Sequence, residues 1–141
     1  MVSRNRMRER LTAQAEMYAK SCLSKTPVAQ ISFAQLFEGS ANGDELCRSE
    51  VLYYAHMYAI ALHNIILTVD PTNVVFQGDF GVADEAFRQK LLENLHEFKY
   101  TGNHHEIQID YDCKDLTEQE TIGATYLLIT DYLKHPEHYI E

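Results

Sequence analysis

The stretch of the chain with the clearest chemical potential is residues 70–84, DPTNVVFQGDFGVAD, which combines a proline turn, a short apolar run and two glycines. In an α/β protein, the glycine-rich turn after a strand is where a phosphate group is commonly held. Here Gln77 and Asp79 flank Gly78, at positions where such a loop usually carries glycine. The plain alternative is a strand-to-helix turn, in which Asp79 and Asp84 favour the positive end of the following helix.

The histidines are spaced in a way that disfavours a metal site. His56 and His63 are seven residues apart on one helical face, about 10 Å along the axis, which is too far to share an ion without other ligands. His104 and His105 are adjacent, so in a strand they point to opposite faces. The tail, residues 135–141, adds two more histidines beside glutamates, and a solvated end explains it best. We therefore predict no histidine metal site.

Cysteine use and charge limit the cellular setting and the partners. Cys22, Cys47 and Cys113 are widely spaced and form no CxxC pair, so we expect neither a disulfide framework nor a zinc ribbon, and a reducing cytoplasm. The net charge of −9 disfavours direct contact with nucleic acid, because phosphates are held by lysine and arginine. The longest apolar stretch, AIALHNIILTV, is short and interrupted by polar residues, so no membrane span is expected.

The first half of the chain is predicted to be helical. Residues 3 to about 20 have helical apolar spacing, but four arginines at their start oppose the helix dipole, so we expect this end to fray. Ser32 can cap a short helix that stops near Gly43, a residue type that accepts a left-handed conformation. Asp44 then caps the longest helix, which runs to about Val69 and is apolar around most of its circumference. Such a helix is buried on more than one face.

The second half alternates strands and helices. The VVF run after Pro71 predicts a strand covered on both faces, residues 83–98 a helix with one apolar stripe, and HEIQIDY a strand with one wetter face. A last helix is expected over about residues 118–133. Together these elements predict an α/β fold with a right-handed βαβ unit. Two strands make a very small sheet, so either a second copy supplies strands or the chain is a piece of a longer protein.

The order of these features resembles the C-terminal half of the ROK family, which groups bacterial sugar-responsive repressors with ATP-dependent sugar kinases. The matching residues are a Gly–Asp pair that opens the long helix, a proline before a buried strand that ends in VVFQG, and a Gly–Ala pair in the last helix, here Gly43, Asp44, Pro71, Gly123 and Ala124. The resemblance covers about residues 32–134. It implies a partial actin-like, ribonuclease H-like lobe, preceded by a helical segment at 1–31 and followed by a tail at 135–141.

The resemblance also places Gln77, Gly78 and Asp79 where kinases of the family keep a glycine pair beside the nucleotide. Bulk at Gln77 and charge at Asp79 make this a vestigial nucleotide loop, as in members that sense sugar without ATP. The family's phosphate-binding motif, catalytic aspartate and cysteine-rich zinc motif have no counterpart in these residues. We thus expect a non-catalytic segment of a repressor, with no cofactor, and self-association into a homo-oligomer.

Two other functions remain open from the sequence. The segment could belong to an active sugar kinase, or it could be a self-sufficient helical dimerisation module. A winged helix-turn-helix encoded immediately upstream of Met1 would decide for the repressor, and an intact phosphate-binding motif there would decide for the kinase. A sugar effector is expected to bind only the full-length parent protein.

Overall fold

The structure, a computed structural model, describes residues 3–98, 107–113, 125–127 and 129–135. Its helices and strands follow in the order α1 Arg4–Ala13, α2 Ala15–Lys20, α3 Phe33–Ala41, α4 Glu45–Val69, β1 Asn73–Phe76, α5 Glu85–Glu97 and β2 Gln108–Tyr111. Short 3₁₀ turns lie at Cys22–Lys25, Val28–Gln30 and Gly78–Phe80. Residues 125–127 and 129–134 are helical and fall within the predicted last helix, whereas Gly123 and Ala124 lie outside the described residues.

The N-terminal segment folds against the rest of the chain through its arginines. Ser3 caps α1 by accepting a hydrogen bond from the Arg6 backbone, and Gln14 interrupts the predicted single helix between α1 and α2. Arg10 donates two hydrogen bonds, of 2.7 and 2.8 Å, to the carboxylate of Glu50, which is fully buried on α4. The Arg10 guanidinium also lies 3.5 Å from the ring centroid of Tyr53. Arg10, in the last turn of α1, is thus held by the buried ion pair and by the ring of Tyr53.

Capping determines where α3 and α4 begin and end. Ser32 and Gln35 form a reciprocal capping box at the start of α3. Gly43 has a φ of 86°, the left-handed conformation that glycine adopts without a steric penalty, and the chain turns there into α4. The Asp44 side chain accepts a hydrogen bond from the Cys47 backbone and so caps α4, as predicted. Helix α4 has 25 residues and a length of roughly 38 Å.

An aromatic cluster joins α3, α4, α5 and β1 at the centre of the molecule. The Phe80 ring lies 4.7 Å from Phe33 and 4.5 Å from Tyr58, measured between centroids. Phe87 on α5 packs against Phe37 on α3 at 5.4 Å, edge to face. Since Phe80 follows the loop at 77–79 directly, burial of its ring fixes the position of that loop against α3 and α4.

The strands form the parallel pair that the sequence predicts, with α5 as the connection. Asn73 is opposite Gln108, and Phe76 is opposite Tyr111, with their rings stacked 5.2 Å apart. The expectation that β1 is covered on both faces is wrong, because Val75 is 51% exposed while only Phe76 is buried. A two-stranded sheet among the described residues has one face against α5 and α4 and leaves the other open. The hand of the crossover stays a prediction.

Helix α4 has a length and composition that would let it cross a membrane, the one such helix among the described residues. Core helices of globular proteins meet the same criterion, and the first half of α4 lies in the core. There Leu46, Val51, Tyr54 and Ala55 are at most 2% exposed, beside the charged Glu50. The helix therefore serves here as the element around which α1, α3 and α5 are arranged.

The buried ion pair generates the first prediction. Replacing Arg10 by methionine leaves the Glu50 carboxylate buried without its cation, so the free energy of unfolding should fall by about 3–5 kcal/mol. Replacing both residues by methionine should recover most of this loss, because no buried charge remains. The free energy of unfolding of both variants is measured by urea titration, with circular dichroism as the signal. Arg6→Met, which removes an exposed pair with Glu9, is the matched control and should leave the midpoint almost unchanged. Equal stability of R10M and the native protein would contradict the role of the pair.

Candidate functional site

The loop at 77–79 lies at the carboxyl end of β1, where the sequence analysis placed a vestigial nucleotide loop. Gln77 is exposed and extended, and Gly78 has a φ of 63° and begins the 3₁₀ turn. Gly81, at the end of this turn, approaches the second strand so closely that a Cβ would lie 2.1 Å from the Asp112 carbonyl oxygen. Glycine is therefore favoured at 78 by the positive φ and at 81 by the close approach of the Asp112 carbonyl.

The Asp79 carboxylate contacts two other elements of the chain. Its Oδ2 atom lies 3.1 Å from the Arg4 guanidinium and accepts a longer, 3.4 Å hydrogen bond from the backbone N–H of Phe33 at the start of α3. The Asp79 side chain is 27% exposed, and that of Arg4 is 61% exposed. A phosphate at this position would meet the carboxylate first, and the arginine that touches the loop is already paired.

A second group of reactive side chains lies in a cleft between the N-terminal segment, α3 and the start of α4. The cleft has a volume of about 440 Å³, and its walls include Cys22, Gly39, Asn42 and Asp44. The Sγ atoms of Cys22 and Cys47 are 3.9 Å apart, although 25 residues separate them in sequence. Cys22 is exposed, and Cys47 is fully buried. Their spacing in sequence matches no CxxC pair and did not predict this proximity.

Asp44 organises the cleft as well as capping α4. Its Oδ2 atom accepts hydrogen bonds from the Ser21 hydroxyl at 2.8 Å and from the Cys22 backbone N–H at 2.7 Å. Its Oδ1 atom accepts from the Cys47 backbone N–H at 3.0 Å. Burial alone raises the pKa of Asp44, but these hydrogen bonds outweigh it and hold the pKa far below the ordinary carboxyl value. Asp44 is therefore an anion at neutral pH.

The environment of Cys47 suppresses its reactivity. Burial raises the pKa of the Cys47 thiol far above its ordinary value, and the negative charge of Asp44 raises it further. At neutral pH the group is consequently a thiol, which is a poor nucleophile because the thiolate is the attacking species. These surroundings do not support nucleophilic catalysis by Cys47. Its sulfur can contribute to packing or can coordinate a metal ion that displaces the thiol proton.

Two of the histidines considered in the sequence lie on the described part of α4. His56 is exposed on α4, and the half-buried His63 packs its ring 4.9 Å from the Phe98 ring. His104 and His105 lie outside the described residues. Among residues 3–98, 107–113, 125–127 and 129–135, the one group of three histidine, cysteine or acidic ligands close enough to share an ion is Cys22, Asp44 and Cys47.

Gly39 is the sequence signal that could have pointed to the cleft. It lies inside α3, where glycine costs about 1 kcal/mol relative to alanine, so its presence requires a packing reason. A Cβ at this position would lie 2.5 Å from the Sγ atom of Cys47 and 2.9 Å from that of Cys22. The space that a side chain would fill is thus taken by the two sulfurs.

Comparison of the chain with protein-family models, with curated proteins and with solved structures finds no match.

The hydrogen bonds to Asp44 generate a pH prediction. A carboxyl whose pKa is lower in the folded than in the unfolded protein stabilises the fold above the unfolded pKa, and this stability is lost as the pH falls toward the folded pKa. The native protein should therefore lose stability steadily between about pH 5 and pH 3 in part through this group. Asp44→Asn keeps the capping oxygen but cannot titrate, so its urea midpoint should depend less on pH over this range. Glu45→Gln, which neutralises the exposed neighbouring residue, is the control. Parallel profiles for D44N and the native protein would refute the assignment.

Proposed function

We propose that the chain is the C-terminal, non-catalytic segment of a sugar-responsive transcriptional repressor of the ROK type, contributing lobe structure and subunit contacts. The observation that carries the proposal is the engagement of Asp79 by Arg4 and by the backbone of Phe33. In an ATP-dependent relative this loop would approach the nucleotide through bare backbone. Here a carboxylate occupies the loop and holds it to the chain's own N-terminal helix, which suits a protein that does not use ATP.

The arrangement of elements around α4 also supports this proposal. Gly43 takes the left-handed conformation before the Asp44 cap, as the Gly–Asp pair of the resemblance requires. The strands pair in parallel across α5, and their sheet is two strands wide among the described residues. A parallel pair is normally part of a larger sheet covered on both faces, so a partial lobe accounts for the exposed Val75.

The kinase alternative requires groups that the described residues do not bring together. Phosphoryl transfer needs cations and backbone amides around the phosphates, together with a carboxylate within hydrogen-bond reach of the attacking hydroxyl. At the loop, Asp79 is a carboxylate bonded to a cation, and Gln77 adds a side chain on the backbone that a nucleotide would approach. We therefore favour the sensor over the kinase.

Subunit contacts are proposed for the exposed apolar side chains. The second half of α4 exposes Ile65, Leu67 and Val69 by 48%, 60% and 67%, and the helical residues Tyr126 and Leu127 are each 72% exposed. Ile65 and Val69 are one turn apart on the same side of α4, and exposed apolar side chains that lie together mark association sites more often than single ones do. A second copy of the chain is the partner that we propose for them.

The first test of this function concerns ATP. Isothermal titration of the protein with Mg-ATP should give no binding heat, and no labelled phosphate should appear on a hexose above the no-protein control. Asp79→Asn should lower the urea midpoint, because the contacts with Arg4 and Phe33 are weakened, and should still not bind ATP. The double variant Gln77→Gly with Asp79→Gly should not gain activity, since the catalytic base and phosphate clamp are the larger deficit. A micromolar dissociation constant for the native protein would overturn the proposal.

The second test concerns self-association. Sedimentation equilibrium at micromolar concentration should show a species heavier than the 16.3 kDa monomer. Replacing Val69 by glutamate, one turn after Ile65 on α4, should shift the equilibrium toward the monomer because a charge cannot be buried there without a partner. Arg48→Glu, also exposed on α4 but near its start, is the control and should retain the assembly. A single 16.3 kDa species for the native protein would exclude the proposed contacts.

A further inference from the structure

The sulfurs of Cys22 and Cys47 have the separation that a shared metal ion requires. Their distance is 3.9 Å. Two sulfurs at about 2.3 Å from a tetrahedral zinc ion lie about 3.8 Å apart. A disulfide would instead require the two atoms to approach to about 2.0 Å. The pair thus fits the edge of a zinc tetrahedron without movement and fits a disulfide only after a large one.

Asp44 provides a third ligand that is already oriented. The three ligand atoms all lie within 4.8 Å of one another. A carboxylate has about four lone-pair positions, and Asp44 uses three of them for Ser21, Cys22 and Cys47. The Cys22 thiol also hydrogen-bonds to Asp44, so an ion that displaces the thiol proton can take the remaining position. Hydrogen bonds that hold a ligating carboxylate in place are a regular feature of metal sites.

The surroundings leave room for the ligands and access for solvent. Gly39 lacks the Cβ that would collide with both sulfurs, so α3 makes space for them at the expense of its own helix propensity. Cys22 is exposed at the wall of the cleft, and the fully buried Cys47 lies beside it, with the two Sγ atoms 3.9 Å apart. Cys22 and Asp44 line the cleft, so water can reach the ligand group from that side.

We propose that Cys22, Asp44 and Cys47 bind a zinc ion, with water from the cleft as the fourth ligand. Two thiolates and one carboxylate select Zn²⁺ over Mg²⁺ or Ca²⁺, which prefer oxygen ligands. The two thiol protons leave on binding, and the ion reduces the charge of the three anionic ligands from −3 to −1. Bound there, the ion would clamp the N-terminal segment to the start of α4. The site is separate from the loop at 77–79 and does not depend on the proposed function.

Cobalt is the probe that reports these ligands directly. The reduced, chelator-treated protein should bind one Co²⁺ per chain, with the near-ultraviolet thiolate-to-cobalt charge-transfer absorption of two sulfur ligands and visible bands of tetrahedral intensity. One equivalent of Zn²⁺ should abolish these bands, and zinc should protect the exposed Cys22 from a disulfide reagent, while Cys47 is buried in either state and Cys113 stays reactive. An absence of charge-transfer absorption in the native protein, or protection of none of the thiols, would overturn the proposal whatever the variants do.

Two matched cysteine variants locate the site. Cys22→Ser should reduce the charge-transfer intensity by about half and weaken zinc binding by at least roughly tenfold, since mutation of a residue that only supports a ligand already costs about that much. Cys113→Ser, at the other exposed cysteine, should bind cobalt as the native protein does. Gly39→Ala tests the cleft itself and should weaken binding although alanine favours the helix. Unchanged absorption in C22S, or equal loss in C113S, would contradict this assignment.

Discussion

The buried carboxylate of Glu50 is the constraint on which the arrangement of the N-terminal segment depends. A charge with no exposed surface needs a cation and further hydrogen-bond donors, and Arg10 and Gln14 provide them from α1 and from the residue after it. The packing of Met7 and Leu11, both fully buried, follows from the same placement. Without the ion pair, α1 would lie over a core that contains an uncompensated anion, which no apolar contact offsets.

This constraint explains why the start of the chain could not be predicted from local rules. Four arginines in the first helix oppose its dipole, and on that ground alone fraying is expected. Two of them form ion pairs with residues that are distant in sequence, Arg4 with Asp79 and Arg10 with Glu50. Partners 75 and 40 residues away cannot be identified from spacing along one helix. Glu50, directly before the apolar part of α4 that begins at Val51, was the available signal that a cation had to come from elsewhere.

Local rules succeeded where the physics itself is local. Ser32, Gly43 and Asp44 act through hydrogen bonds and conformations within a few residues, and the ends of α3 and α4 were predicted from them. The spacing of Phe87, Leu91 and Leu95 similarly predicted α5 and the side of it that is buried. The burial of β1 was wrong because it depends on how many strands and helices surround the sheet, and residues of the strand itself do not carry that information.

In the candidate sites, too, local features could be predicted from sequence and contacts between distant residues could not. The position of Gln77, Gly78 and Asp79 after a strand followed from sequence, but the partners of Asp79 did not. The proximity of Cys22 and Cys47 arises because the turn after α2 meets the capped end of α4, so only the glycine in α3 hinted at it. Both sites contact the N-terminal segment, through Arg4 at the loop and Cys22 at the cleft. The segment is thus held at three points: Arg4 contacts the loop at 77–79, Arg10 contacts α4 through Glu50, and Cys22 contacts the cap of α4 through Asp44.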